Sequence, residues 1–147
     1  MVYEYTNGAM EVNEPEVRRE DLIFPELSYQ LVGLAFNVYN ELGFGHLEKV
    51  YQRAYAKELK EAGLKFSMEV PYKVKYKGEV VGTSRFDFLV EEEIIVELKK
   101  SDHFSKANID QVNNYLRISD LKLGLLFNFS KNGVLSKRIV NIYPITS

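Results

Sequence analysis

Between Arg85 and Lys100 the chain reads Arg-Phe-Asp-Phe-Leu-Val-Glu-Glu-Glu-Ile-Ile-Val-Glu-Leu-Lys-Lys, and Asp87, Glu97 and Lys99 could act there together. Two apolar runs flank three acids, which reads as strand, turn and strand. With the turn at Glu91-Glu92-Glu93, Val90 pairs with Ile94, Phe88 faces Val96, and Asp87 stands opposite Glu97. Alternation then puts Phe86, Phe88 and Val90 on one face with Ile94, Val96 and Leu98, and Arg85, Asp87, Glu97 and Lys99 on the other. A slip of one residue would move Asp87 among the apolar side chains, which favours this register. Opposed carboxylates repel by about 0.2–1 kcal/mol. A divalent cation turns that repulsion into a ligand set, because hard cations prefer oxygen, and Lys99 would stand beside it. The same charges also suit a solvated checkerboard, Arg85 with Glu97 and Asp87 with Lys99, and on this stretch alone both readings stand.

Three further groups could carry chemistry, each with an ordinary structural alternative. Glu48 and Tyr51 in Gly45-His46-Leu47-Glu48-Lys49-Val50-Tyr51 lie on neighbouring positions of one helix face. If Gly45 is the N-cap, Glu48 is the third helical residue, where an acid is favoured by free N–H groups and the helix dipole. Gln111 and Tyr115, spaced i and i+4, project together from the shoulder of a helix and could overhang a sheet edge, or be a half-buried Tyr beside an amide. Lys73, Lys75 and Lys77 form a stripe along a strand, which reads as charge protecting an edge or as a ridge that tracks phosphates.

The elements that must position these residues follow from periodicity. Residues 1 to about 24 show no period and suggest a poorly ordered or loosely docked extension. Leu27, Leu31, Leu34, Ala35, Val38 and Leu42 recur at helical spacing and stop at Gly43-Phe44-Gly45. A second helix is expected from His46 to about Ala62, then a strand from Phe66 to Lys77 with Val70, Tyr72, Val74 and Tyr76 opposite the lysines. The Arg85 stretch supplies two more strands. A helix over 105–119 buries Ile109, Val112 and Leu116, and strands over 122–130 and 134–143 flank the turn Lys131-Asn132-Gly133. The order predicts an α/β domain over 25–147, a central mixed β-sheet flanked by helices.

Composition narrows the chemistry. The 147 residues suffice for one domain with a real core. There is no cysteine, which excludes disulfides, thiolate zinc and cysteine nucleophiles, and only His46 and His103 could serve as imidazoles. No apolar run approaches the length of a membrane span and no basic-then-apolar leader is visible, so a cytoplasmic protein is expected. Residues 1–26 hold seven acids and two bases, leaving fourteen acids and seventeen bases for the body. An acidic segment on a mildly basic body suits a phosphate-bearing substrate, and the segment could cover and restrain the basic site.

Taken together, Asp87 and Glu97-Leu98-Lys99 after an acidic turn resemble the core of the PD-(D/E)XK nuclease superfamily. Gly45-x-x-Glu48-x-x-Tyr51, with Leu42-Gly43 before it, is similar to the signature of the GxxExxY family within that superfamily, and Gln111-Val112-Asn113-Asn114-Tyr115 looks like its Gln-x-x-x-Tyr helix motif. The resemblance spans about residues 27–142. Phe86 stands where the superfamily name has Pro, and Tyr39 and Phe44 stand where relatives often carry His and Pro.

The resemblance implies a restriction-endonuclease-like core and a Mg²⁺-dependent nuclease acting on DNA, in repair or defence, with Mn²⁺ as a substitute. It implies that Asp87 and Glu97 hold the metal, with the Leu98 carbonyl as a further ligand and Glu48 completing the shell directly or through water. Lys99 would orient the attacking water, and Gln111 and Tyr115 would position the substrate phosphate or the metal-bound water. Lys73, Lys75, Lys77 and Lys100 are the candidate nucleic-acid contacts. One site and one lysine stripe per chain would suit a homodimer spanning a duplex, or a partner protein. The opposing expectation is a catalytically inactive member that binds nucleic acid or a protein partner.

Overall fold

The structure, a computed structural model, describes residues 2–6 and 23–141. Its elements in chain order are β1 (Val2–Thr6), α1 (Pro25–Leu42), α2 (Glu48–Glu61), β2 (Phe66–Tyr76), β3 (Glu79–Val90), β4 (Ile94–Lys99), α3 (Lys106–Ser119), β5 (Leu123–Ser130) and β6 (Gly133–Val140). They build one mixed sheet in the order β1-β6-β5-β4-β3-β2. Among the described residues only β4 and β5 pair in parallel, and α3 makes the crossover between them. The α/β architecture with a central mixed sheet is as the sequence predicts. Strand β1 is an addition: Val2–Thr6 pairs antiparallel with β6, where no element was expected. Residues 7–22, the bulk of the acidic segment, lie outside the described residues, as do 142–147 at the end of the expected last strand. No helix among the described residues is long and apolar enough to cross a membrane.

The helices sit where their apolar stripes can be buried. Helix α1 starts at Pro25, which favours a first helical position, and buries Leu31, Val32, Leu34, Ala35 and Val38. With α2, which buries Tyr51, Tyr55 and Leu59, it covers one face of the sheet over Phe88, Val90, Ile94, Val96, Leu98 and Phe127. Helix α3 covers the other face with Val112 and Leu116 over Ile95, Leu126 and Ile139. It comes so close to β5 that a Cβ on Gly124 would stand 2.6 Å from Val112 Cγ1, so glycine is required there. Ser105 caps α3, its Oγ accepting from the Asn108 amide at 3.3 Å.

Helix α2 begins later than the sequence suggests. Gly45 has φ 112, outside the helical region, and Leu47 is the N-cap. Glu48 is therefore the first helical residue, and no side chain caps this end. Tyr51 anchors the preceding loop instead: it is fully buried, donates to the Gly43 carbonyl at 2.6 Å, and stacks on Phe129 at 4.3 Å between centroids.

The β3–β4 turn lies where expected, with Val90 opposite Ile94 and Phe88 opposite Val96. Glu91 and Glu92 are both left-handed, at φ 52 and 57. That unfavourable turn is tied down because Glu91 exchanges hydrogen bonds with the Lys65 backbone, at 2.9 Å through its amide and 2.6 Å through its carboxylate.

Candidate active site

Beyond the Phe88–Val96 pair the backbone ladder of β3 and β4 gives way to side chains. The Asp87 amide donates to Glu97 Oε1 at 3.0 Å, and the Leu98 amide donates to Asp87 Oδ2 at 2.7 Å. Each acid thus takes the place of a backbone carbonyl on the opposite strand. The alternation of β3 breaks at the same point. Phe88 and Val90 pack beneath α1 and α2, as expected, but Phe86 packs with Tyr72, Ile95 and Tyr115 beneath α3. Opposite Asp87 on β2, Glu69 is left-handed at φ 53, so β2 changes face too: Phe66 joins one core and Tyr72 the other. The expectation that Phe86 shares the face of Phe88 is corrected accordingly.

This opening gathers Asp87, Glu97 and Lys99. Glu97 is only 6% exposed, and Lys99 Nζ stands 3.4 Å from its Oε2. Burial, then the neighbouring Asp87 charge, push the Glu97 carboxyl up to about 8, with Lys99 opposing. Burial also raises Asp87, against the hydrogen bond from the Leu98 amide and the Lys99 charge. Two carboxylates so placed cannot both ionise cheaply, and near neutral pH the pair retains a proton. A solvated checkerboard is thereby excluded for these residues. Arg85 pairs with Glu69 at 3.3 Å, not with Glu97.

Helix α2 adds two contacts. Glu48 Oε2 accepts from the Lys100 amide at 3.2 Å, which brings this acid to the end of β4. Gln52, one turn further on and 9% exposed, donates from Nε2 to Asp87 Oδ1 at 2.9 Å. Sequence reasoning missed Gln52. Its signal was the i, i+4 spacing from Glu48, which puts both on one helix face.

Among the described residues, the side chains of the remaining candidates make no hydrogen bond or ion pair with Asp87 or Glu97. Gln111 donates to Ser84 Oγ on β3 at 2.7 Å, and the Tyr115 ring packs 4.9 Å from Phe86 and 5.5 Å from Tyr72. Burial raises the Tyr115 hydroxyl pKa. Lys73 and Lys75 are exposed on β2 and Lys77 lies in the β2–β3 turn, while Lys100 Nζ sits 5.5 Å from the Phe44 ring beside Glu48. Tyr39 donates to the Ser130 carbonyl at 2.7 Å.

Asp87 and Glu97 offer oxygen alone, and the raised proton affinity of Glu97 marks a place where added positive charge is favourable. The donor chemistry therefore fits a hard divalent cation. Among the described residues, no three or more His, Cys, Asp or Glu side chains gather closely enough to hold a metal by themselves. Backbone carbonyl and water ligands would have to complete the shell.

A sequence profile of the PD-(D/E)XK nuclease superfamily matches residues 25–140. No curated protein matches the chain. Among solved structures, the crystal structure of SSO0001 is similar over 82% of this chain and 79% of its own, at 14% identity and a TM-score of 0.44.

Proposed function

Because the chain belongs to the PD-(D/E)XK nuclease superfamily, we propose that it is a divalent-metal-dependent nuclease that hydrolyses phosphodiester bonds of DNA, with Asp87, Glu97 and Lys99 as its centre. Gly45-x-x-Glu48-x-x-Tyr51 supports placing it in the GxxExxY branch. The observation that carries the reading is the opening between β3 and β4, where buried Glu97 and half-buried Asp87 face each other beside a lysine.

In this reading Asp87 and Glu97 would hold Mg²⁺ or Mn²⁺, with the Leu98 carbonyl as a further ligand and Glu48 reached through water. The ion would neutralise charge on the phosphate and assist the leaving oxygen. Gln52 fixes the Asp87 carboxylate so that its free lone pairs face one direction. Lys99 orients the attacking water and stabilises negative charge that develops in the transition state. Gln111 and Tyr115 act at a distance from the acids, on the part of the substrate that passes along β3, and Lys100 contacts an adjacent phosphate.

The test is cleavage of labelled single- and double-stranded DNA and RNA by purified protein with Mg²⁺, Mn²⁺ or EDTA, alongside Lys99→Ala. Metal-dependent cutting that the variant loses is the expected result, and product lengths separate endo from exo action. No cutting, together with no heat of metal binding in calorimetry, would replace this reading with a nucleic-acid- or protein-binding module of the same fold.

A further inference from the structure

The far end of the β2–β3 hairpin presents a surface that the carboxylate site leaves unexplained. Its turn, Lys77-Gly78, is left-handed at both positions, φ 51 and 84, as a tight two-residue hairpin turn requires. Next to it, Val74 pairs with Gly82 but Lys75 pairs with Val80, so Val81 is the extra residue of a bulge, a device that re-aims side chains. The outcome is a defined tip on which Tyr76 and Val81 are each 62% exposed, with Val80 at 50% and Val74 at 42%. Scattered exposed apolar side chains are ordinary, but here they share one turn of one hairpin.

Three lysines lie along this end of β2 and its turn, with Glu79 across from Tyr76 as the acid among them. Lys73 and Lys75 are exposed, and among the described residues neither has an acidic partner. Lys77 Nζ stands 5.4 Å from the Tyr76 ring centroid. An exposed aromatic ring with Lys77 beside it, and Lys73 and Lys75 on the other face of the same thin hairpin, offers both partners that a nucleotide needs, a flat surface for the base and cations for the phosphate.

We infer that this tip binds an unpaired nucleic-acid strand, Tyr76 stacking on a base while Lys73, Lys75 and Lys77 meet the phosphates. The strand must be unpaired because the faces of paired bases are covered by their neighbours in a duplex. A second copy of the chain is the poorer occupant, since like-charged lysines would meet. The outer edge of β2 is also blunted by Pro71, which has no N–H, and by the left-handed Glu69. At about 3.3 Å per residue, β3 carries the tip roughly 20 Å from Asp87. Tyr115 and the Gln111–Ser84 pair, all half-buried, lie between and give a bound strand a polar and aromatic path to the acids. Only that last step rests on the nuclease reading.

The test is fluorescence anisotropy in EDTA, with labelled single-stranded and fully paired oligonucleotides of one sequence. It compares the wild type, Tyr76→Ala, the triple Lys73→Ala, Lys75→Ala, Lys77→Ala, and Lys57→Ala as a surface control. Tyr76→Ala is expected to weaken single-strand binding about 5- to 100-fold and to leave duplex binding nearly unchanged. The triple variant is expected to lower the salt dependence of single-strand binding by about 0.7 for each phosphate that a lysine no longer neutralises. Because Tyr76 is largely exposed, circular dichroism should show an unchanged fold. Wild-type affinity in Tyr76→Ala, a preference of the wild type for duplex, or binding to neither strand form overturns the inference. So does a dimer that Tyr76→Ala converts to monomer. Cleavage is not read here, so the two readings fail separately. A wild type that binds but does not cut with Mg²⁺ sinks the nuclease and leaves the tip. One that cuts with Mg²⁺ while its single-strand binding in EDTA does not depend on Tyr76 sinks the tip alone.

Discussion

Strand β3 belongs to two hairpins that treat charge in opposite ways. At the β3–β4 end Glu97 is buried and Asp87 half-buried, and the two acids are hydrogen-bonded to backbone amides of the opposite strand and crowded by one another. At the β2–β3 end the lysines are exposed, and Lys73 and Lys75 are bound to nothing among the described residues. The difference separates two kinds of readiness. The buried pair is electrostatically costly without a cation, so a bound ion would relieve a cost already present in the fold. The exposed lysines cost nothing while they are solvated, and can give only attraction that salt screens. Affinity for metal should thus be sensitive to single atoms at the first end, and affinity for nucleic acid graded and salt-dependent at the second.

The largest effect expected from breaking this contrast is at Lys99. Its ammonium sits beside Glu97 but is partly exposed, so Lys99→Ala should fold normally. Loss of a preorganised charge at a reacting phosphate typically lowers turnover by about 10²–10³-fold, and kcat measured under saturating DNA and Mg²⁺ should fall by that order. A fall confined to KM would make Lys99 part of the graded, screened surface instead.

The buried end also predicts how stability depends on pH. The folded Glu97 carboxyl is raised to about 8 from an ordinary value of 4.5, so between those values the folded chain holds a proton that the unfolded chain releases. Stability without metal is therefore fully present below about pH 4.5 and declines as pH rises through about 8. Glu97→Gln should flatten that decline and be the more stable protein above pH 8, by roughly 1–3 kcal/mol. Urea midpoints in EDTA across this range check it, and Mg²⁺ should flatten the wild-type curve in the same way. A slope that persists in Glu97→Gln would place its source elsewhere.

Gln52 sharpens the comparison one step further from the chemistry. Among the described residues its side chain hydrogen-bonds to Asp87 alone, so Gln52→Ala should weaken Mn²⁺ binding about 10–100-fold in calorimetry while leaving nucleic-acid affinity in EDTA unchanged. Equal losses in both would mean that α2 had shifted, and that the variant reports packing.

Much of this site is legible in the sequence because apolar parity fixes the register. Once Val90 pairs with Ile94, Asp87 must fall opposite Glu97. The face change at Asp87 and Glu69 is not legible, since simple alternation assumes an unbroken ladder and here two side chains replace backbone acceptors. Glu48 lies two helical positions from where the pattern puts it, because nothing in Gly45-His46-Leu47 announces that Gly45 adopts φ 112. Val2-Tyr3-Glu4-Tyr5-Thr6 is β-rich enough to be read as a strand, but the acidic segment after it dominates the window. The lysine stripe is visible, whereas the bulge that gathers Val80, Val81 and Tyr76 on one tip depends on how β3 pairs with β2.

Tyr115 lies between the two hairpin ends and gives the smallest and most discriminating test. Its ring is fixed by Phe86 and Tyr72, yet its hydroxyl has no hydrogen-bond partner among the described residues. Tyr115→Phe keeps the ring packing intact, so stability should stay within about 0.5 kcal/mol of wild type. If the hydroxyl meets the substrate, one neutral hydrogen bond disappears, and kcat/KM should fall by roughly 2- to 12-fold with metal affinity unchanged. If the residue only packs, Tyr115→Phe cuts as wild type and Tyr115→Ala fails through stability alone. The first outcome joins the two ends of β3 through a substrate-bearing surface. The second leaves them as separate sites on one strand, and would require the path from tip to acids to be sought off the α3 face.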